Sequence, residues 1–563
     1  MTAEALALAE LALFDGCTTS DLESLSSAVT GVRRLPEGTV LCREGENADR
    51  WWIVEDGLAE VTVGGLYVAT IGPGESVGEL ALLDGQARNA TVTASTDMVL
   101  HEVDGALFLD LLAEHPKVAL ALLREVAVRL RATTEQTARP PAPSSPPAAV
   151  VVPRRTVPGE AVTFNPFAPG YFSNPYAQYA DLRDSSPLYL DRLSNAYLVT
   201  RYADVHRLSR DRSLTVGTAK AASTPVIEAE IARNDSGGGV SHRMMLRRDG
   251  DDHSRLRTLL ARAFTPKAIS AWRDRTEVVV GAVLSNLSEL ESIDVIADFA
   301  AVLPAMIISE MLGIPEDDTD QLSSWSQAMT KTLDPLNTPR EEAESVEATK
   351  KMAEYIATVV AAKEVSGSGD ILTALIEAEV AGDRLTREEL VAQVMLLYMA
   401  GFENALNLVG NGLVHLFEFP DQMDRMRTDP SLDANAIEEL IRFDSPVQFT
   451  RRVCAEPLEI GDVTAPPGSL LFLGLGAANR DPEQWGAGAE LLDLARPRAN
   501  EHASFGGGPH HCLGSSLARL EAKVALPQLV RRFPRMEPAY GAPAWGARMI
   551  VRGVERLPVR LHG

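Results

Sequence analysis

The sequence predicts two domains of different class: a small β-roll with flanking helices, then a mostly α domain with a minor β region. Three observations predict this. A proline-rich segment, Arg139-Pro-Pro-Ala-Pro-Ser-Ser-Pro-Pro-Ala-Ala-Val running on to Pro153-Arg-Arg, interrupts an otherwise ordinary composition. Before it, short β-rich pieces alternate with glycine turns. After it, apolar residues recur with a helical period, most clearly over Thr386–Phe419.

In the first region, turns are marked by Pro36-Glu-Gly38, Gly45, Asp56-Gly57, Gly64-Gly65 and Pro73-Gly74. Between them lie Thr39-Val-Leu, Trp51-Trp-Ile-Val, Ala59-Glu-Val-Thr-Val, Tyr67-Val-Ala-Thr-Ile and Ala90-Thr-Val-Thr-Ala. Strands at this short, regular spacing predict a roll or small barrel. From Pro116 to Arg131 the stripe Val118, Leu122, Leu123, Val126, Leu130 predicts a helix, whose apolar face serves core packing or pairs two chains as a homodimer. The proline segment fixes φ and removes backbone donors, so it reads as a semi-rigid linker. The expected spans are 1–135, a linker at 136–160, and 161–563. In the last, Thr386 and Glu389 form a capping box and Pro420 stops the helix, which runs roughly 50 Å at 1.5 Å per residue. It is apolar nearly all round and so should cross the middle of a large domain. The stretch 213–250, with its Ser-Gly-Gly-Gly and Met244-Met245, reads as a mobile pocket cover.

The 563 residues carry 45% hydrophobic and 23% charged side chains, enough for a large core and too apolar for wholesale disorder. The net charge is -25. Residues 1–135 hold 22 acidic and 9 basic residues, a net of -13, and the remaining 428 carry -12. Such a chain repels phosphate backbones and anionic membranes, which argues against nucleic-acid binding. Four cysteines, Cys17, Cys42, Cys454 and Cys512, are too sparse for a disulfide framework and contain no CxxC pair. The opening MTAEALALAE is acidic where a signal peptide is basic. The longest apolar run, Val394–Phe402, stops at Glu403, well short of the ~20 residues a membrane span needs. A soluble protein of a reducing cytoplasm is expected.

Residues 74–92 read Gly-Glu-Ser-Val-Gly-Glu-Leu-Ala-Leu-Leu-Asp-Gly-Gln-Ala-Arg-Asn-Ala-Thr-Val. A strand should end at Gly74 and a helical turn open at Gly78, its first N–H groups free for an anion. Gly78 permits close approach to the main chain, Glu79 can accept from a sugar hydroxyl, and Arg88 offers a fork suited to a phosphate. Together these residues resemble the phosphate-binding cassette of the cyclic-nucleotide-binding domain, over most of 12–133. The resemblance implies that Glu79 binds the ribose 2′-hydroxyl, Arg88 the cyclic phosphate, and that Gly78, Leu80 and Ala90 frame the pocket. Asn89 stands where the family commonly has Ser, Thr or Ala, which leaves cyclic AMP (cAMP) against cyclic GMP (cGMP) open. No helix-turn-helix follows, so a transcription factor is disfavoured.

Residues 505–521 read Phe-Gly-Gly-Gly-Pro-His-His-Cys-Leu-Gly-Ser-Ser-Leu-Ala-Arg-Leu-Glu. The glycines let this loop pass close to a flat cofactor, and Cys512 lies just before a helical pattern whose N–H groups can stabilise a thiolate. The string Phe505-x-x-Gly508-x-His510-x-Cys512-x-Gly514 resembles the cysteine-loop signature of cytochrome P450. Glu439-Leu-Ile-Arg442 is similar to that family's Glu-x-x-Arg pair, and Ala478-Asn-Arg-Asp481 with Arg496 to its meander. His253 and Arg257, with Arg452 and His510, match its haem-propionate partners. The resemblance covers about 160–560. It implies a haem b iron (the metal) ligated by the Cys512 thiolate, and a monooxygenase that hydroxylates or epoxidises an apolar small molecule, a terpenoid or other secondary metabolite.

One motif departs. Ala400-Gly401-Phe402-Glu403-Asn404-Ala405 keeps the acid of the family's acid–alcohol pair but puts Asn404 in place of the alcohol. An amide has donors and an acceptor and can hold a water. Asn404 either alters proton delivery or only stabilises a groove in the helix. With no flavin, iron–sulfur or nicotinamide motif in the chain, electrons are expected from a separate ferredoxin and ferredoxin reductase. The reading is a cyclic-nucleotide sensor fused to a haem monooxygenase; the alternative is a non-catalytic haem protein acting as sensor or scaffold.

Overall fold

The computed structural model describes residues 19–107 and 118, and 164–562, apart from 37, 47–48, 64–65, 74, 85–86, 89, 106, 169, 192–193, 336, 338, 367–369 and 379–382. Its contacts divide the chain into Met1–Thr156 and Val157–Gly563. The expected helix at 116–131 and the linker at 136–160 lie outside the described residues, Val118 aside.

In the first unit, helix α1 (Thr19–Ala28) leads into β1 (Val29–Leu35), β2 (Val40–Cys42), β3 (Arg50–Asp56), β4 (Ala59–Val63), β5 (Leu66–Ile71) and β6 (Ser76–Val77). A short helix, α2 (Glu79–Asp84), precedes β7 (Thr91–Ala94) and β8 (Met98–Asp104). Two four-stranded sheets result, ordered β1-β8-β3-β6 and β2-β7-β4-β5, all pairs antiparallel. The alternation expected of half-buried strands is clean in β7. Cys42, Trp52, Val54, Val92, Met98 and Leu100 pack between the sheets. Two expectations need correction. The strand before the cassette ends at Ile71 rather than Gly74, and a separate short strand, β6, leads to Gly78. Neither β1 nor β8 was anticipated; β1 is exposed along most of its length, and its Thr-Gly-Val-Arg-Arg core has no alternation. Its ladder with β8 holds it in place.

The second unit is mostly helical, with a sheet β11-β12-β10-β9 formed by β9 (Leu188–Asp191), β10 (Ala196–Val199), β11 (Phe449–Val453) and β12 (Leu470–Gly474). Only β10 and β12 run parallel. The helices that build the site are α3 (Tyr202–Arg210), α4 (Gly250–Ala261), α5 (Arg273–Leu287), α6 (Val302–Leu312), α7 (Arg387–Glu418), α8 (Asp433–Phe443) and α9 (Ser515–Arg532). Thr386 and Glu389 cap α7 reciprocally, as the sequence requires. Nearly every α7 side chain from Leu390 to Leu416 is buried, so the helix has no solvent face to keep polar. Each buried leucine or valine there contributes roughly 1.5–3 kcal/mol. Within 213–250 the chain forms helices at Pro225–Ser236 and Val240–Arg243, and Met244 and Met245 join the main core. Among the described residues no helix is long and apolar enough to cross a membrane.

Candidate functional site

The cysteine loop is fixed from both ends. The Cys512 amide donates to the Phe505 carbonyl at 2.9 Å, closing the loop on itself. Gly508 has φ +63, and a Cβ there would lie 2.7 Å from the Arg210 Cα, so only glycine lets the loop lie against the end of α3. Burial raises the Cys512 thiol pKa, while the Gly514 and Ser515 amides and the Arg257 and Arg519 guanidiniums oppose it. Yet the side chain is exposed. Protein crowds the sulfur without covering it. Its sulfur already faces amide donors at the start of α9, the setting that favours a ligating thiolate.

Beside this sulfur, four nitrogen-bearing side chains converge. His253 and Arg257 lie one turn apart on α4, on one face. The His253 and His510 rings are 4.1 Å apart. Arg257 donates to the His511 carbonyl at 2.6 Å. Arg452, buried in β11, donates only to the Thr450 hydroxyl and the Arg451 and Ser209 carbonyls. Burial pulls its pKa down to about 10. His253 Nε2 is buried without a hydrogen-bond partner among the described residues. Among the described residues the one carboxylate within ion-pair distance of this group is Asp249, 3.8 Å from His510 Nε2, and its oxygens also accept from the Val216 and Gly217 amides. The buried Arg452 and the half-buried Arg257 have no carboxylate within ion-pair distance among the described residues, a setting that calls for an anion. The two propionates of a haem would supply the anions these guanidiniums lack, beside the accessible sulfur, and the residues fit that group.

In the middle of α7, Glu403 is buried and its Oε1 is 3.0 Å from Arg548 Nη1, with the Asn407 side chain also bonding the carboxylate. Burial raises its pKa against the pull of Arg548. The Asn404 amide donates to the Ala400 carbonyl at 3.2 Å, and its buried Oδ1 has no partner among the described residues. Half of this amide serves the helix, and the other half is an open acceptor. On α8, Glu439 and Arg442 are fully buried and paired at 2.7 Å, and Arg496 joins the same carboxylate at 2.9 Å. Arg442 also donates to the Asn479, Ala489 and Leu491 carbonyls, tying α8 to the meander.

In the first unit Gly78 has φ +91, and a Cβ there would sit 2.2 Å from Arg88 Nη1. Arg88 is buried and donates to the Gly78 and Arg50 carbonyls, both at 2.6 Å. Glu79 is buried and accepts from the Ser76 hydroxyl at 3.1 Å. Ala90 is buried beside them. Leu80 lies in α2, but its side chain, like Asn89 altogether, is outside the described residues.

Comparison with known proteins decides the family. The cytochrome P450 family model matches residues 228–539. "Cytochrome P450 107B1" of Saccharopolyspora erythraea is 36% identical over 411 residues, 71% of this chain and 98% of that protein. The chain belongs to the cytochrome P450 family. A second relative of this P450, "Polyketide biosynthesis cytochrome P450 PksS" of Bacillus subtilis, is 32% identical over 71% of this chain and 99% of its own. Among solved structures, P450BioI in complex with a hexadec-9Z-enoic acid-ligated acyl carrier protein matches with TM-score 0.65 and 31% identity, over 70% of this chain and 99% of that one. The cyclic nucleotide-binding domain model matches 32–115. The protein is therefore a haem-dependent P450 monooxygenase that carries a cyclic-nucleotide-binding domain.

Sequence reasoning missed three residues of the P450 site. Arg548 reaches Glu403 from a loop 145 residues away, with no local signal. Asp249 is recognisable only once His510 is folded against it. Arg519 stacks on the Phe505 ring at 4.3 Å. Its place in the second turn after the cysteine was a usable clue.

Proposed function

We propose that this P450 oxidises an apolar small molecule of secondary metabolism, a polyketide-like or terpenoid compound, and that a cyclic nucleotide held in the first unit sets its activity. Haem b, when bound, supplies O₂ activation, and the balance is one substrate, one O₂, two electrons and two protons giving oxygenated product and water. Cys512 would hold the iron through its sulfur, with the Gly514 and Ser515 amides steadying the negative charge. His253, Arg257, Arg452 and His510 would bind and orient the propionates, and Phe505 and Gly508 shape the loop beneath. Glu403 is a buried acid that Arg548 holds in place, and it is positioned to pass a proton by way of water at the free Asn404 Oδ1. Glu439 and Arg442 keep the loop's foundation rigid. Electrons arrive from an external redox partner, a ferredoxin with its reductase. The names of the polyketide and acyl-carrier-protein relatives support the substrate class.

In the first unit, Glu79 would accept from the ribose 2′-hydroxyl and Arg88 would meet the cyclic phosphate, with Gly78, Leu80, Asn89 and Ala90 around them. The observation that carries the oxygenase reading is the accessible Cys512 sulfur beside guanidiniums that, among the described residues, have no carboxylate within ion-pair distance. Reduced, CO-treated holoenzyme should show a Soret band in the thiolate range, and Cys512→Ser should lose it. A wild-type protein without that band overturns the reading. Regulation is reciprocal, so substrate affinity measured with and without cAMP or cGMP should differ by the same factor as nucleotide affinity measured with and without substrate. Equal affinities in both directions together with a kcat unchanged by either nucleotide refute regulation.

A further inference from the structure

Arg88 is a buried guanidinium held without a carboxylate. Among the described residues no acid lies within ion-pair distance of it; its Nη1 and Nη2 go to the Gly78 and Arg50 carbonyls. Its remaining neighbour is an aromatic face: the guanidinium carbon stands 5.3 Å from the centre of the Trp52 ring. Arg50 and Trp52 are two apart on β3 and both address Arg88, one through its carbonyl and one through its ring. The ring itself is pinned. Trp52 Nε1 donates at 3.0 Å to Glu102 Oε2, and Glu102 is the residue directly opposite on β8. Glu102 is in turn neutralised by Arg33 at 3.2 Å and by Arg50.

We infer that Trp52 is a positioning residue of the nucleotide site: its face holds Arg88 ready for the cyclic phosphate while leaving the cation's charge unspent. A carboxylate in that place would fix the guanidinium equally well but cancel the charge a phosphate needs. An indole face attracts the cation through its quadrupole and carries no net charge. The arginine pair around Glu102 keeps that acid from competing for Arg88. The inference rests on the nucleotide-binding reading and adds to it a residue outside the cassette.

The test uses full-length holoenzyme and calorimetric titration with cAMP and with cGMP. Trp52→Leu should bind roughly tenfold more weakly, and Trp52→Phe should lose less because a ring face remains. Fluorinated tryptophans placed at position 52 keep the shape and the N–H donor while draining the ring's negative face, so affinity should step down with each fluorine. A purely structural Trp52 would give a flat series. Wild-type binding with a flat series overturns this inference alone. A wild-type protein that binds neither nucleotide overturns the nucleotide reading, and the inference with it.

Discussion

Glu521 on α9 is an electrostatic liability in the oxygenase core. It is 6% exposed and lies among Val280, Leu303, Ile307, Ala405 and Val409, where α5, α6, α7 and α9 meet. Among the described residues no hydrogen bond or ion pair offsets it, and burial alone pushes its pKa from 4.5 up to about 8. The folded state therefore holds a proton that the unfolded chain releases near pH 4.5. Stability falls as pH rises from about 4.5 to about 8, and the full penalty applies above that. A shift of about 3.5 pH units at about 1.4 kcal/mol each gives ~5 kcal/mol. Glu521→Gln removes the titration and keeps the shape. Urea unfolding of the holoenzyme, followed by the Soret band and by far-ultraviolet circular dichroism, should give similar stabilities for the two proteins near pH 5. At pH 8.5 the Gln variant should be more stable by several kcal/mol, with the gap opening through neutral pH. Parallel stability curves from pH 5 to 8.5 would refute the reasoning, because they would mean Glu521 ionises inside the fold at no cost.

Asn404→Thr should change the fraction of electrons lost as peroxide, measured as hydrogen peroxide per reductant consumed; identical coupling removes Asn404 from proton delivery. Burial lowers the His415 pKa, but bonds to Asp444 at 2.7 Å and Glu418 at 2.6 Å more than offset it, so it is raised overall. Its stabilisation is complete below about pH 6.5 and is lost as pH rises through the raised value, so His415→Asn should destabilise more at pH 6 than at pH 9 in the same urea assay. Arg442→Met should cost up to roughly 3–5 kcal/mol, since it takes from the fully buried Glu439 the closer of its two guanidinium partners and leaves Arg496 alone to offset the charge, and the apparent melting temperature of the Soret band should drop accordingly.

Much of the site was legible because its chemistry is local. The α7 capping box needs only Thr386 and Glu389, three residues apart, and the cysteine loop needs only the glycines and the start of α9. Strands β3, β4, β5 and β7 announced themselves through aromatic and β-branched residues between turns. β1 did not, because an exposed edge strand is under no pressure to alternate. The pairing of Glu403 with Arg548 was equally silent, because a long-range ion pair leaves no trace in the spacing of either partner.

The amino-acid order alone determined which groups were present: a lone thiol before a helix, a cassette arginine, an acid–amide pair on an apolar helix. Folding decided their state. Among the described residues it left Arg88 and Arg452 buried with no carboxylate within ion-pair distance, kept the Cys512 sulfur accessible, and enclosed Glu521 among apolar side chains. Charge and protonation depend on what surrounds a group in three dimensions, and those neighbours come from segments far apart in the chain.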